Sequence, residues 1–269
     1  MCLYPKLIEN KKYMANKKNK GIIAEIKDQR VLLVPVGCGK CMECMKQKAR
    51  AWKTRLNEEI RHDKTGHFVT FTLSEESYNE LAIGINTDGY ELENQIAKKA
   101  IRRFLERWRK KYKKSIKHFF ITELGHTGTE RIHLHGIVWT EKTANEIRDI
   151  WKYGFIWDSK EQNGYVNERT INYIAKYMTK TDKKHGYYKQ IVLTSAGIGK
   201  NYIERPDSKK NKFNEKKTNE TYTNRQGYKS NLSIYFRNKI YNEEQREKLW
   251  IMTFLSSVVH SLPCAIKLV

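Results

Sequence analysis

The sequence predicts an α+β fold in which a central antiparallel sheet is covered by helices. Three observations predict it. Strand-like and helix-like stretches alternate along the chain, and two β-branched, aromatic segments near its middle are joined by a short turn containing Gly and Thr. Apolar residues make up 39% and aromatics 12%, fractions that belong to a folded protein rather than to a disordered basic tail. At 269 residues there is enough chain for one sizeable core and a small further lobe.

Taken in order, residues 1–37 read as irregular and lysine-rich, with one strand at 31–36. A helix follows over 42–62, where Met45, Ala49, Trp52, Leu56 and Ile60 recur at helical spacing between basic residues. HFVTFTLS (67–74) is β-branched and aromatic, hence a strand. The clearest helix spans 94–113. Ile96, Ala97, Ala100, Ile101, Phe104, Leu105, Trp108 and Tyr112 form its apolar stripe, and Arg102, Arg103, Arg109 and Lys110 belong to a basic opposite face. That face is suited to tracking a DNA backbone, or is simply solvated.

The segments 117–124 and 131–139, with the turn 125–130 between them, read as a β-hairpin. Thr143 is placed to cap a short helix through Trp151, stopped by Gly154. A strand near 155–157 leads into a helix at 169–181. Beyond 185, KQIVLTS and LSIYF look like short strands separated by a lysine-rich loop at 204–230, and a last helix falls at 242–250. The apolar tail 251–269 is either a docking helix or a poorly ordered end.

Fifty-two Lys and Arg against 30 acids leave a net charge of +22, so the expected partner is a polyanion, nucleic acid first. A merely adhesive basic protein is the alternative. No apolar run reaches the length of a membrane span, and the first residues lack an apolar signal core, so neither membrane insertion nor export is expected. Five cysteines, an odd number, then argue for reduced thiols and a cytoplasmic setting.

Two constellations carry chemistry. His133 and His135 alternate with Leu134 on a strand, so both point to one face, while Ile132, Leu134 and Val138 point to the other. A hairpin register centred on residue 128 sets Glu123 across from His133, with facing Cβ atoms about 5 Å apart. Two imidazoles and a carboxylate suit a divalent ion that also holds a substrate oxygen; ordinary half-exposed strand histidines are the alternative. On the helix at 169–181, at roughly 100° per residue, Tyr173, Tyr177 and Lys180 fall opposite Ile171, Ile174, Ala175 and Met178, with Lys176 adjoining. Neighbouring ammonium groups favour a phenolate and hold phosphate. The alternative is a surface Tyr/Lys face that stacks bases or has no role.

Together HFVTFTLS, ITELG, RIHLHGIVW and YIAKYMTK resemble, in this order, the motifs of the HUH endonucleases. More narrowly they resemble the rolling-circle replication initiators of gokushovirus-like, microvirus-group single-stranded DNA phages. GCGKCMECMKQKARAWKTRL and SAGIGKNYIE extend the likeness over about 36–205. The resemblance implies an HUH/RRM-like sheet and a metal-dependent DNA endonuclease and strand transferase. Glu123, His133 and His135 would hold Mg2+ or Mn2+. Tyr173 or Tyr177 would attack single-stranded DNA at a viral replication origin, leaving a 5′-phosphotyrosyl link and a free 3′-OH, with Lys176 and Lys180 assisting. A host helicase and DNA polymerase would be partners, in the cytoplasm of a bacterial host. The chain then divides into an N-terminal segment 1–61, a nuclease core 62–185 and a basic extension 186–269 packed on it. Plasmid mobilisation or transposition by the same chemistry, and a non-catalytic zinc-containing nucleic-acid-binding protein, are the competing readings.

Cys38, Cys41 and Cys44 form C-x2-C-x2-C, which suits Zn2+ if a fourth ligand such as His62 or His67 joins them; partly buried thiols are the alternative. SAGIGK is glycine-rich but fails the phosphate-loop pattern, because Thr194 and Asn201 stand at two of its fixed positions. Trp139, Trp151, Trp157 and Tyr165 are candidates for base stacking, although core packing suits most aromatics better.

Overall fold

Strands β1 (Lys6–Glu9) and β2 (Leu33–Val36) precede the long helix α1 (Met42–His62). Strand β3 (Gly66–Phe71) leads through α2 (Glu75–Ala82) to α3 (Gly89–Tyr112) and then to β4 (Lys117–Leu124) and β5 (Ile132–Trp139). Helix α4 (Ala144–Trp151), strand β6 (Ile156–Asp158), helix α5 (Glu168–Tyr177) and strand β7 (Val192–Thr194) follow. Then come α6 (Pro206–Lys209), β8 (Thr221–Thr223), β9 (Lys229–Asn231), α7 (Ile234–Ile240) and α8 (Glu243–Ser261). The computed structural model describes residues 2–17, 19–125, 130–162, 164–180 and 184–261, the last nine as backbone alone. It divides into two compact units, 48–200 and 1–47 with 201–269.

In the unit 48–200 the strands form one antiparallel sheet in the order β6-β3-β5-β4-β7. The α+β class predicted from the sequence is what forms. Alternation assigns Val69, Phe71, Phe120, Leu134 and Val138 to one face, where they meet Ile96, Ala100, Phe104 and Trp108 of α3 and Ile147 and Trp151 of α4. Phe119, Ile121, Ile137 and Trp139 take the other face, against Leu56 and Ile60 of α1 and Ile171 and Ile174 of α5. The histidine face of β5 is thus a second core face over part of its length. A strand covered on both sides loses the in–out alternation that would have revealed this.

Local chemistry accounts for the helix ends around the site. Thr143 caps α4 as expected, in a reciprocal box with Glu146. The helix stops on Lys152 in the left-handed region (φ 62°), two residues before the predicted Gly154. Asn167 caps α5 by accepting from the backbone N–H groups of Arg169 and Thr170. Helix α5 ends at Tyr177, short of the predicted 181, and residue 181 lies outside the described residues. So do residues 126–129 of the predicted turn; Gly125 N–H donates to Arg131 O at 3.0 Å beside them. The SAGIGK loop is a packing element. Gly199 (φ +75°) lies so close to α1 that a Cβ there would sit 2.6 Å from the Arg55 carbonyl oxygen, and its N–H donates to Glu59 at 2.7 Å.

The other unit has its own small core of Tyr202, Tyr222, Leu232, Phe236, Tyr241 and Leu249. LSIYF, expected as a strand, is largely helix α7. Ser233 caps it by accepting from Phe236 N–H, and burial of Phe236 outweighs the β-preference of Ile-Tyr-Phe. Lys12 and Tyr13 both bond Glu247 of α8, at 2.6 and 2.7 Å. The apolar tail is helical to Ser261, and residues 262–269 lie outside the described residues. Helix α2 and the strands β1, β8 and β9 have no counterpart in the sequence reading.

Candidate active site and metal centre

Both histidines of β5 sit on the sheet face that carries α5. The register sets Glu123 opposite His133, as the hairpin spacing predicts, and Thr70 opposite His135. His135 is held on both sides of its ring. Its Nδ1 lies 3.0 Å from Thr70 Oγ1 and its Nε2 lies 3.0 Å from Glu123 Oε2. The second Glu123 oxygen accepts from Lys180 Nζ at 2.5 Å. Burial alone would raise the Glu123 carboxyl, but the bonds from His135 and Lys180 outweigh it and hold the group below the usual carboxylate range. His133 is shifted down, first by burial and then by the neighbouring His135, with Glu123 offsetting part of the effect. That favours the neutral imidazole, the form that ligates metal.

The tyrosines reach the same spot. Tyr177 stacks on His135 with ring centroids 4.5 Å apart and planes 8° from parallel. Its hydroxyl donates to the Tyr173 oxygen at 2.6 Å. The sequence placed both tyrosines off the core face, and this holds for Tyr173, which is 47% exposed, but not for Tyr177, which is 8% exposed. Tyr177 lies at the edge of the Ile171–Ile174–Met178 stripe, where the flat imidazole of His135 makes a floor for its ring. Burial, then the bond to Tyr173 and the charge of Glu123, push its hydroxyl well above the ordinary tyrosine range. The expected lysine effect is not realised there. Lys180 is engaged with Glu123, and its Nζ lies 5.8 Å from the centre of the Tyr177 ring.

Beside Tyr173 opens a groove of ≈ 720 Å³ lined by Phe68, Thr70, Trp157, Arg169, Asn172 and Lys176, among others. Phe68 meets Trp157 and Tyr173 edge-on, with centroids 5.6 and 5.7 Å apart. Of the four suggested stacking residues, Trp157 lines this groove, Trp139 and Trp151 are core, and Tyr165 is exposed. Phe68, Arg169 and Asn172 carried no signal of their own in the sequence. Thr70 lay inside the threonine-bearing strand motif, which was the one available pointer. The basic residues of α3 are not brought to this groove, because α3 packs on the opposite sheet face. There Arg102 pairs with Glu106 at 3.5 Å and Arg103 with Glu80 at 2.8 Å, while Arg109 and Lys110 are exposed.

Among the described residues, the group of metal-ligating side chains that converges tightly is elsewhere. Cys2, Cys38, Cys41 and Cys44 bring their Sγ atoms within 4.8 Å of one another, and such a cluster could hold a metal such as zinc. The histidines suggested as fourth ligand are not part of it. His62 is exposed, and both ring nitrogens of His67 are engaged, by Asp158 at 2.8 Å and by the Thr140 carbonyl at 3.2 Å. The fourth thiol is Cys2, separated by 36 positions from Cys38 and therefore invisible to a search for local spacing. Glu123, His133 and His135 share a face without converging to that degree, the two imidazole centroids being 6.4 Å apart.

A sheet with two histidines and a facing carboxylate, flanked by a tyrosine-bearing helix, defines the class to compare. Residues 66–182 match the replication-associated protein family of the ORF2 type, a stretch that lies within the unit 48–200 and runs from β3 past α5. The match supports a replication-associated role for this unit. No curated protein and no solved structure matches the chain. Among the described residues no helix is long and apolar enough to cross a membrane.

Proposed function

We propose that this chain is an HUH-type replication initiator that nicks and rejoins single-stranded DNA through a tyrosine nucleophile. The reading rests on one observation above the others: the ring of Tyr177 lies on His135 while its hydroxyl bonds that of Tyr173. Nucleophile candidates and metal-ligand candidates are thereby within one hydrogen-bonded patch. The family match over residues 66–182 supports the role in replication, and the net charge of +22 supports DNA as the partner.

Tyr173 is the first nucleophile in this reading, because it is the exposed member of the pair and borders the groove. Its oxygen attacks phosphorus, the Tyr–O–P bond forms and the P–O3′ bond breaks. The displaced 3′ oxygen ends as a hydroxyl, having received the proton that the phenol gives up. The bond energy is retained in the 5′-phosphotyrosyl ester, so rejoining needs no ATP. Tyr177, kept protonated by burial, donates to the Tyr173 oxygen and serves as the second nucleophile when strand transfer follows. Lys176 borders the groove as a phosphate contact. Phe68 and Trp157 offer ring faces and edges to bases.

Glu123, His133 and His135 are the residues that would hold Mg2+ or Mn2+, and their imidazole and carboxylate donors fit such an ion. Thr70, bonded to Nδ1 of His135, leaves Nε2 as the ligating nitrogen, the arrangement by which a second residue orients a metal-binding histidine. When bound, the ion would polarise the scissile phosphate. A viral origin as the substrate, and a host helicase and polymerase as later partners, belong to the same reading.

The test is covalent capture. Wild-type chain incubated with single-stranded DNA and Mn2+ is expected to give a denaturation-resistant protein–DNA adduct, absent from the Tyr173→Phe, Tyr177→Phe double variant. An adduct mapped to another residue in that variant would discard the nucleophile pair. No adduct with any divalent ion, alongside intact DNA binding, would replace the reading by a binding module.

A further inference from the structure

We infer that Cys2, Cys38, Cys41 and Cys44 form a structural Zn2+ site that staples the N-terminal residues to the start of α1. The site belongs to the unit 1–47 with 201–269 and is independent of the nicking chemistry proposed above. Tetrahedral Zn2+ with bonds of about 2.3 Å requires sulfur–sulfur edges of about 3.8 Å. The Cys2 and Cys41 sulfurs are 3.8 Å apart, and all four fall within 4.8 Å of one another. A disulfide would need roughly 2.05 Å, and all four cysteines are free thiols. Four sulfur donors select a soft or borderline ion and disfavour Mg2+.

The surrounding backbone is arranged for sulfur ligands. Lys40 and Cys41 N–H groups point at Cys38 Sγ, at 3.5 and 3.3 Å, so the segment Cys38-Gly39-Lys40-Cys41 curls around that sulfur. Gly39 (φ +72°) supplies the left-handed residue that this curl needs. Cys2 Sγ accepts from the N–H groups of Tyr4 and Cys38, at 3.3 and 3.2 Å. These bonds fix ligand orientation and spread thiolate charge, which is what outer-shell groups do for a metal centre. Cys44 lies in the first turn of α1, where the helix N-terminus favours a thiolate. Gly37 completes the cradle, since a Cβ there would come within 2.9 Å of Cys44 Sγ.

The staple also explains how a unit with so small an apolar core holds its N-terminal arm. Strands β1 and β2 present mostly exposed side chains, Leu7 at 66% and Leu33 at 46% among them. A metal that cross-links residue 2 to residues 38–44 closes this arm into a loop, and structural zinc contributes its binding energy directly to folding.

Elemental analysis of the full chain purified without chelator is expected to give about one zinc per molecule. After metal exchange, Co2+ is expected to show the visible bands and strong sulfur-to-cobalt charge transfer of a tetrahedral tetrathiolate. Cys2→Ser is expected to weaken zinc retention at least about tenfold and to lower the charge-transfer intensity. Cys264→Ser is the control and is expected to leave both unchanged. A metal-free wild-type protein, iron in place of zinc, octahedral cobalt, or a cobalt spectrum indifferent to Cys2→Ser would each overturn the inference. The wild-type cobalt spectrum counts thiolate ligands by itself, so the test survives a variant that fails to fold. Because the readout is metal content, its outcome is separable from that of the covalent-capture experiment.

Discussion

At the residue scale, Tyr177 has the most to explain. A buried phenol that stacks on a ligand-type histidine and points its hydroxyl at a second phenol is poorly placed to attack first. It is well placed to donate a hydrogen bond to the developing charge on Tyr173. Burial is the main cause of its raised pKa, so the group stays protonated beyond the ordinary tyrosine value of about 10. Tyr177→Phe removes this one bond and keeps the ring on His135. The first cleavage is then expected to slow by about 2- to 10-fold, the worth of one hydrogen bond, with little change in KM. The wild-type to variant rate ratio is expected to stay flat between about pH 7 and 9, since a donor that does not ionise there gives a constant advantage. Single-turnover cleavage measured across that range decides it. An unchanged rate would show the hydrogen bond to be idle.

At the scale of the element, α5 is the part that brings nucleophile to metal ligands, and its beginning is set by Asn167. That side chain accepts from two backbone N–H groups, and Thr170 Oγ1 is 3.3 Å from the Asn167 backbone N in return. Asn167→Ala is expected to cost about 1 kcal/mol locally. Hydrogen exchange at the Arg169 and Thr170 amides should accelerate accordingly, with adduct formation reduced, and Asn167→Asp should restore both. Unchanged exchange at those amides would mean that α5 is held by the Ile171 and Ile174 packing alone. Elements of this kind were legible in the sequence where a cap and a period agree, as for Thr143 and the helix after it. The hairpin register was legible too, because turn length and strand length fixed Glu123 against His133. LSIYF was misread because propensity was consulted where a serine cap and the burial of Phe236 decide the outcome. Cys2 was missed because nothing local marks a ligand that joins its partners only after folding.

At the scale of the molecule, the charge of +22 is a global property, and the structure distributes its possible use between two sheet faces. The basic side of α3 belongs to the face away from the tyrosines, and two of its arginines are already paired with Glu80 and Glu106. Arg169 and Lys176 border the groove beside Tyr173. A strand lying in that groove would release counterions through these two residues, whereas a strand lying along α3 would use Arg109 and Lys110. Each phosphate contact contributes about 0.7 to the slope of log K against log salt for single-stranded DNA. Arg169→Ala with Lys176→Ala is therefore expected to reduce the slope by roughly 1.4 and to weaken binding most at low salt. Arg109→Ala with Lys110→Ala is expected to leave the slope close to wild type. Fluorescence anisotropy titrations over a salt series would measure both pairs in the metal-free reaction mixture, where cleavage does not interfere. The reverse result, a slope lost with the α3 pair and kept with the groove pair, would move the DNA to the opposite face of the sheet and detach the groove from the proposed chemistry.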